Sequence, residues 1–417
     1  MRSVSNVKEK AEPLDIKKVR EDFPIFRQSM NESPLVFLDS AASAQKPQQV
    51  IDSIREVYEN EYANVHRGLY QLSELLTQRY EGVRDTICNY INAEHSHEII
   101  FTKNATESIN LVANSFGRTF LEKGDEVVIT ELEHHANIVP WQLLREEKGI
   151  VLKIAPIDDT GDIIMSEFEK ILGPRTKLVA ISHMSNVLGT ILPVAEITKM
   201  AHLVGAKVLV DGCQSVTHIP IDIQKLGCDF FVFSGHKLYG PSGVGVLYGR
   251  ENILEKMPPY MGGGDMISSV TFEKSTWAGL PHKFEAGTPA IVQVIGLGAA
   301  IDYINSIGLK QISIHEHNVL KYATQKLLKI DGLRLIGNSV EKASILSFTL
   351  DVAHPHDIAT IIDRSGVAVR AGHHCAQPLM QRMDIPATVR ASIGMYNNYT
   401  DIDLLIEAIN KVHEIFS

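Results

Sequence analysis

The sequence predicts an α/β protein in which a large, mostly parallel sheet is wrapped by crossover helices and followed by a smaller α+β portion. Three observations predict it. Short apolar runs alternate with helix-like stretches up to Pro289; unusual polar residues collect directly after those runs; and beyond Pro289 strand and helix segregate. In chain order the expected strands are residues 98–102, 126–130, 178–182, 207–210 and 230–233. A helix over 196–203 stops at Gly205 and leads into the strand that finishes at Asp211, one βαβ step legible directly. Residues 244–248 lie between two glycines, too soon after their predecessor for a helical crossover, so this pair is expected to be antiparallel. Later come helices at 296–307 and 312–330, a strand at 345–350, a helix at 358–363 and a last helix at 401–413. The expected division is a large domain over 37–295 and a small domain built from 1–36 and 296–417.

Composition narrows the function. Among 417 residues, 40 Lys and Arg stand against 50 Asp and Glu, a net charge of −10, which lacks the basic excess that draws proteins to nucleic acid. Cys88, Cys213, Cys228 and Cys375 are too few and too unevenly spaced for a disulfide framework or a paired CxxC site, so a reducing compartment is expected. Residues 1–20 have no apolar core like a secretory signal, and the richest apolar run, 290–301, is short and interrupted by Gln293. The expectation is a cytoplasmic protein with no membrane and no nucleic-acid partner.

In an open α/β sheet, ligands bind beyond the carboxyl ends of the strands. Those ends carry Asn104-Ala105-Thr106, Glu133-His134-His135, Ser185-Asn186, Asp211-Gly212-Cys213-Gln214 and Ser234-Gly235-His236-Lys237. A lone Asp-Gly usually caps a turn, and a lone lysine is usually solvated. Asp211 and Lys237 follow successive strands, however, and neighbouring parallel strands would bring them into one cleft. A partly desolvated lysine can form an imine with an aldehyde, and a carboxylate can keep a pyridine nitrogen protonated; pyridoxal phosphate asks for both, with donors for its phosphate. Thr106, opening a helix, with Ser234 and His236 could hold that phosphate, and His134 could stack on the ring.

The motifs Asp211-Gly-Cys-Gln214, Ser234-Gly-His-Lys-Leu-Tyr-Gly-Pro241 and Arg370-Ala-Gly-His-His-Cys-Ala376 resemble those of the SUF-system cysteine desulfurases, within the class V aminotransferase family. The resemblance runs from Leu38-Asp-Ser-Ala-Ala-Ser-Ala-Gln-Lys-Pro47 through Val65-His-Arg-Gly68, Glu133-His-His-Ala-Asn-Ile-Val-Pro-Trp141, Ser185-Asn-Val-Leu-Gly189 and Phe284-Glu-Ala-Gly-Thr-Pro289 to Arg390-Ala-Ser392. It implies a fold-type-I pyridoxal-phosphate transferase with a seven-stranded sheet, active as a homodimer. Lys237 would carry the cofactor and shuttle protons, Asp211 would pair with the ring nitrogen and Gln214 would donate to the ring oxygen. His134 would stack on the ring and act in proton transfer. Thr106, Ser234 and His236 would hold the phosphate, with Thr288 reaching across from the other subunit. Asn186 and Arg390 would bind the substrate carboxylate, with His66 and Arg67 lining the entrance.

Cys375 would then be the nucleophile that takes sulfur from L-cysteine, leaving L-alanine and a persulfide. Arg370, His373 and His374 are the neighbours expected to favour its thiolate. Three consecutive residues rarely point at one ion, so His373-His374-Cys375 is not expected to be a metal site, and no resident metal is expected. Cys213 and Cys228, beside strands, are expected to be small buried hydrophobes. The segment His354-Pro-His356-Asp357 resembles that of desulfurases delivering sulfur to a zinc-containing acceptor of SufU type, with His356 engaging the partner's zinc; a SufE-type acceptor is the alternative. The alternative activity is that of a selenocysteine lyase. A non-catalytic sulfur carrier is opposed by the Asp211–Lys237 pair.

Overall fold

The computed structural model describes residues 14–416. Seven strands form the large sheet: β1 Ile99–Thr102, β2 Glu126–Thr130, β3 Val151–Ala155, β4 Thr176–Ser182, β5 Lys207–Asp211, β6 Phe230–Ser234 and β7 Gly245–Gly249. Their spatial order is β1-β7-β6-β5-β4-β2-β3, with β7 antiparallel to both neighbours and the remaining neighbours parallel. The expected antiparallel pair is therefore present. The strand missing from the sequence reading is β3 at the edge.

Period-two alternation divides the strands between two cores. Phe101, Val128, Val179, Ile181, Val208, Val210, Phe231 and Phe233 face one, packed by helices α2 Gln71–Tyr90, α5 Val194–Leu203 and α6 Ile291–Ile307. Ile100, Val127, Ile129, Leu178, Leu209, Phe230 and Val232 face the other, covered by α3 Ala105–Val112 and α4 Val139–Lys148. Helix α6 is apolar almost all round because it packs on both α2 and α1 Gln48–Glu56. A Cβ on its Gly298 would lie 2.7 Å from Val83 of α2, so the close approach needs glycine. Among the described residues no single helix is long and apolar enough to cross a membrane.

The second sheet is antiparallel, in the order β8-β9-β11-β10, from β8 Leu333–Ile336, β9 Ile345–Leu350, β10 Arg370–Gly372 and β11 Thr388–Ser392. Helices α7 Leu309–Leu327, α8 Pro355–Asp363 and α9 Tyr399–Phe416 bury its apolar face through Val319, Leu327, Ile358, Ile362, Leu405 and Ile409. The short strand Val36–Phe37 runs parallel to Val367–Ala368, placing Val36 and Leu38 in this smaller core. Phe23, by contrast, lies edge-on to Tyr239, Tyr303 and Tyr396 where the two portions meet. Of the N-terminal segment 1–36, residues 1–13 lie outside the described residues. Helix α6 runs unbroken through residue 295 and packs with the large sheet.

The end of β2 is locked by one carboxylate. Glu133 accepts from the Thr130 hydroxyl at 2.6 Å, Asn137 Nδ2 at 2.7 Å, and the Ser182 amide and hydroxyl at 3.1 and 2.8 Å, which joins β2 to β4 and orients the turn carrying His134. Burial still outweighs these donors and pushes its carboxyl up to about 7. The unfolded chain ionises this group near 4.5, so its contribution to stability is fully present below that pH and is lost as pH rises through 7. Urea unfolding of wild type and Glu133→Gln over this range should show the wild type losing stability relative to the variant as pH rises; a constant difference would contradict the assignment.

Candidate active site

The carboxyl ends of β4, β5 and β6 open into a cleft of about 330 Å³ whose lining includes Asp211, Gln214, Ser234, Lys237, His134 and Arg390. Asp211 is 7% exposed, and its Oδ1 accepts the Cys213 amide at 2.9 Å. Lys237 closes a single 3-10 turn, Gly235–Lys237, directly after β6. Among the described residues neither its ammonium nor Asp211 Oδ2 makes a hydrogen bond within the chain. Both charges act on the His134 imidazole. Burial first, then the Lys237 cation, lowers His134 to about 4, leaving a neutral ring at physiological pH. Its Nδ1 accepts the Ala136 amide at 3.0 Å, which puts the proton on Nε2.

The expected phosphate residues surround the amino end of α3. Ser234 Oγ accepts the Ala105 amide at 2.9 Å, Thr106 follows in the first turn, and His236 lines the same cleft with its ring held neutral, at about 4, chiefly by burial. A Cβ on Gly245 would sit 2.4 Å from Asn104 Cα, so this glycine lets β7 approach the helix start. Gln214 is buried, and its Nε2 donates to the Ala41 carbonyl at 2.8 Å. Cys213 and Cys228 are buried as expected, each thiol pushed up to about 12 by burial.

The loop after β10 closes the cleft. Cys375 is the one exposed cysteine among the described residues, and it lines the cleft with Arg370 and His374. His374 and Cys375 both have positive φ, +53° and +56°, a strained pair that needs outside support. Support comes from the large sheet's own loops. Asn186 Nδ2 donates to the His374 carbonyl at 2.7 Å, the His135 amide donates to the Cys375 carbonyl at 2.7 Å, and the Gln377 amide donates to His135 Nε2 at 3.0 Å. One expectation needs correction: His374 does not supply a cation. It is buried against Thr388 Oγ1 at 2.8 Å, and burial with the Arg390 charge lowers it to about 3. The cations that act on Cys375 are Arg370 and Arg390.

Arg390 is 2% exposed on β11, donates from Nη1 to the Asn186 carbonyl at 2.9 Å, and keeps a buried Nε without a partner among the described residues. Other expected residues lie elsewhere in the chain. Thr288 is exposed in an adjoining groove of about 660 Å³ that shares Asn104 and His236 with the cleft. His66 and Arg67 line a third pocket, where His66 Nε2 bonds Glu81 at 2.8 Å and Arg67 pairs with Asp265 at 3.1 Å. His66, Glu81 and His282 hold ligand-type atoms within 4.8 Å of one another, a group in which Glu81 is also bonded by Arg84. His356 is exposed in the first turn of α8, its ring stacked on His354 at 5.2 Å, and α8 packs against β10.

The sequence reading assigned no role to Asp39, Lys46 or His135. Asp39 pairs with both Arg370 and Arg390, and Lys46 donates to the carbonyls of Ala44 and, at 3.0 Å, His236. All three lie within quoted motifs, Asp39 and Lys46 in that from Leu38 to Pro47 and His135 in that from Glu133 to Trp141.

Pyridoxal phosphate fits these residues. The cleft offers a buried carboxylate with a free oxygen, an unpaired lysine, a helix amino end and an orphaned buried guanidinium Nε for an anionic substrate group. Comparison with known proteins agrees. The class V aminotransferase family matches residues 36–405. A probable cysteine desulfurase of Halalkalibacterium halodurans is 50% identical over 403 residues, covering 97% of this chain and 99% of the relative. One from Mycolicibacterium paratuberculosis is 50% identical over 411 residues, 99% of this chain, which spans only 60% of that relative's length. The solved cysteine desulfurase of Thermococcus onnurineus superposes with a TM-score of 0.92 at 37% identity, covering 97% of this chain and 99% of that one. The chain belongs to the class V aminotransferase family, pyridoxal-phosphate-dependent enzymes of fold type I, among relatives that are cysteine desulfurases.

Proposed function

We propose that the chain is a cysteine desulfurase of the SUF type, turning L-cysteine into L-alanine and leaving the sulfur on Cys375 for an acceptor that serves iron–sulfur cluster assembly. The observation that carries this reading is the placement of the exposed Cys375 thiol on the rim of the cleft that Asp211 and Lys237 line.

When bound, pyridoxal phosphate supplies an electron sink at the substrate Cα. Lys237 would hold it and then take and return the Cα proton at Nζ, while Asp211 keeps a positive charge fixed at the cleft floor. Thr106, Ser234 and His236 would hold the phosphate, Gln214 would donate to the ring oxygen, and neutral His134 offers an Nε2 proton across the ring face. Arg390 and Asn186 would fix the substrate carboxylate. The Cys375 thiolate, with Arg370 and Arg390 beside it, would attack the substrate sulfur, so an S–S bond forms as the Cβ–S bond breaks, while the proton given up by the substrate thiol is matched by one added at Cβ to make the methyl group of alanine. L-Cysteine and the thiolate give L-alanine and the persulfide anion, a balance that needs no outside oxidant or reductant. The large sheet thus holds the cofactor and the smaller sheet presents the nucleophile.

Thr288 stands outside the cleft of its own chain, in a groove continuous with it, which supports a homodimer in which this residue completes the partner's phosphate site. The short, three-point-pinned loop around Cys375 supports a persulfide that stays close to the cleft until an acceptor arrives. Exposed His356, on the helix against β10, supports an acceptor of SufU type over one of SufE type.

After mixing with L-cysteine, mass spectrometry should find one added sulfur on the Cys375 peptide. Cys375→Ala should lower L-cysteine turnover at least about a hundredfold. Surviving turnover would remove the nucleophile assignment, and selective survival of selenocysteine turnover would mark that lyase activity as separable. Alanine production should rise several-fold when a SufU-type acceptor is added, and His356→Ala should cut persulfide transfer to it. A flat acceptor response, or unchanged transfer by the variant, would contradict the respective proposal.

A further inference from the structure

Asp39 does not line the cleft, but it sits directly behind the two arginines that do. Its carboxylate receives Arg370 through Nε at 3.1 Å to each oxygen and through Nη2 at 2.9 Å. Arg390 adds Nη2 at 3.1 Å. The Asp39 backbone bridges Ser392 of β11, and the residues just before it are tied to the loop ahead of β10, so its carboxylate cannot drift from the two strands that carry these arginines. One carboxylate therefore serves two guanidiniums, one of them almost wholly buried.

We propose that Asp39 is a positioning and specificity residue that sets the charge of the substrate-carboxylate site. Two guanidiniums against one carboxylate leave a single net positive charge, matched to a ligand with one carboxylate and an uncharged side chain. Without Asp39 the same arginines would present two positive charges, which suits an amino acid with a second anionic group. His374, beside Arg390, is neutral and adds nothing to this count, and the Cys375 thiolate, which acts on the same two arginines, is there with or without Asp39 and leaves the difference of one charge unchanged. After Asn186 and Asp39 have each taken one N–H, Arg390 keeps the unpartnered Nε–H and one further N–H on each Nη to offer a ligand. This inference rests on the carboxylate-binding role proposed above for Arg390, with Arg370 beside it.

The test titrates holoenzyme with L-alanine, which has one carboxylate, and L-aspartate, which has two, following the visible absorbance of the bound cofactor. In Asp39→Asn and Asp39→Ser the ratio of the aspartate to the alanine dissociation constant should fall about tenfold or more, and Asp39→Glu should restore it. A merely structural Asp39 would weaken both ligands alike, so an unchanged ratio overturns the proposal. Should the single variants not fold, Asp39→Asn combined with Arg370→Gln returns the site to one net charge and should keep the wild-type ratio; a tenfold fall there also overturns it. Arg390→Gln separates the two levels. Undiminished binding of both ligands by that variant would refute the carboxylate site itself, whereas weakened binding with an unchanged ratio in the Asp39 variants refutes only the charge-setting role.

Discussion

Parallel pairing of β4, β5 and β6 in close register is the constraint on which the rest of the structure depends, because it ends three strands at one level with a carboxylate buried at their tips. Ser182 pairs with Asp211, and Asp211 with Val232, two residues before Ser234. A carboxylate only 7% exposed is tolerated only when compensating charge and donors are close. The turn after β6 brings Lys237 into the same cleft. The same tips hold the Glu133 network through Ser182, so the orientation of His134 and the position of Asp211 share one support.

The second portion of the molecule contributes through backbone pins and one charge cluster. Asn186 and His135, both on loops of the large sheet, grip consecutive carbonyls in the strained His374-Cys375 pair. Arg390 on β11 reaches back to the Asn186 carbonyl, so Asn186 touches the Cys375 loop and Arg390 together. Placing the thiol on one sheet and the lysine on another makes their separation a property of how the sheets pack. The buried aromatic cluster of Phe23, Tyr239, Tyr303 and Tyr396 stands at that junction.

Local pattern was enough for strands with apolar neighbours: residues 126–130 and 345–350 were read with the bounds the structure has, and the antiparallel strand expected from spacing at 244–248 lies one residue later, at 245–249. It failed where burial is not apolar. Strand β3 sits at the sheet edge with only Ala155 fully buried, so no run marked it. Strand β11 is buried throughout yet reads Thr-Val-Arg-Ala-Ser, its arginine tolerated there because Asp39 and Asn186 accept from its Nη groups. The strand-end rule brought out Asp211 and Lys237. Asp39 escaped it because its partners lie 331 and 351 residues away, a distance over which no periodicity speaks. The cationic role expected of His374 failed for a related reason: proximity to Cys375 in sequence carries no information about burial.

The central claim is that Lys237, beside Asp211, is the covalent seat of the cofactor. Borohydride reduction of the holoenzyme followed by peptide mass mapping tests it most directly. The account predicts one pyridoxyl phosphate adduct, on the peptide containing Lys237, in wild type and none there in Lys237→Ala. An adduct on Lys46 or another lysine, or no adduct from protein that carries the cofactor, would contradict it.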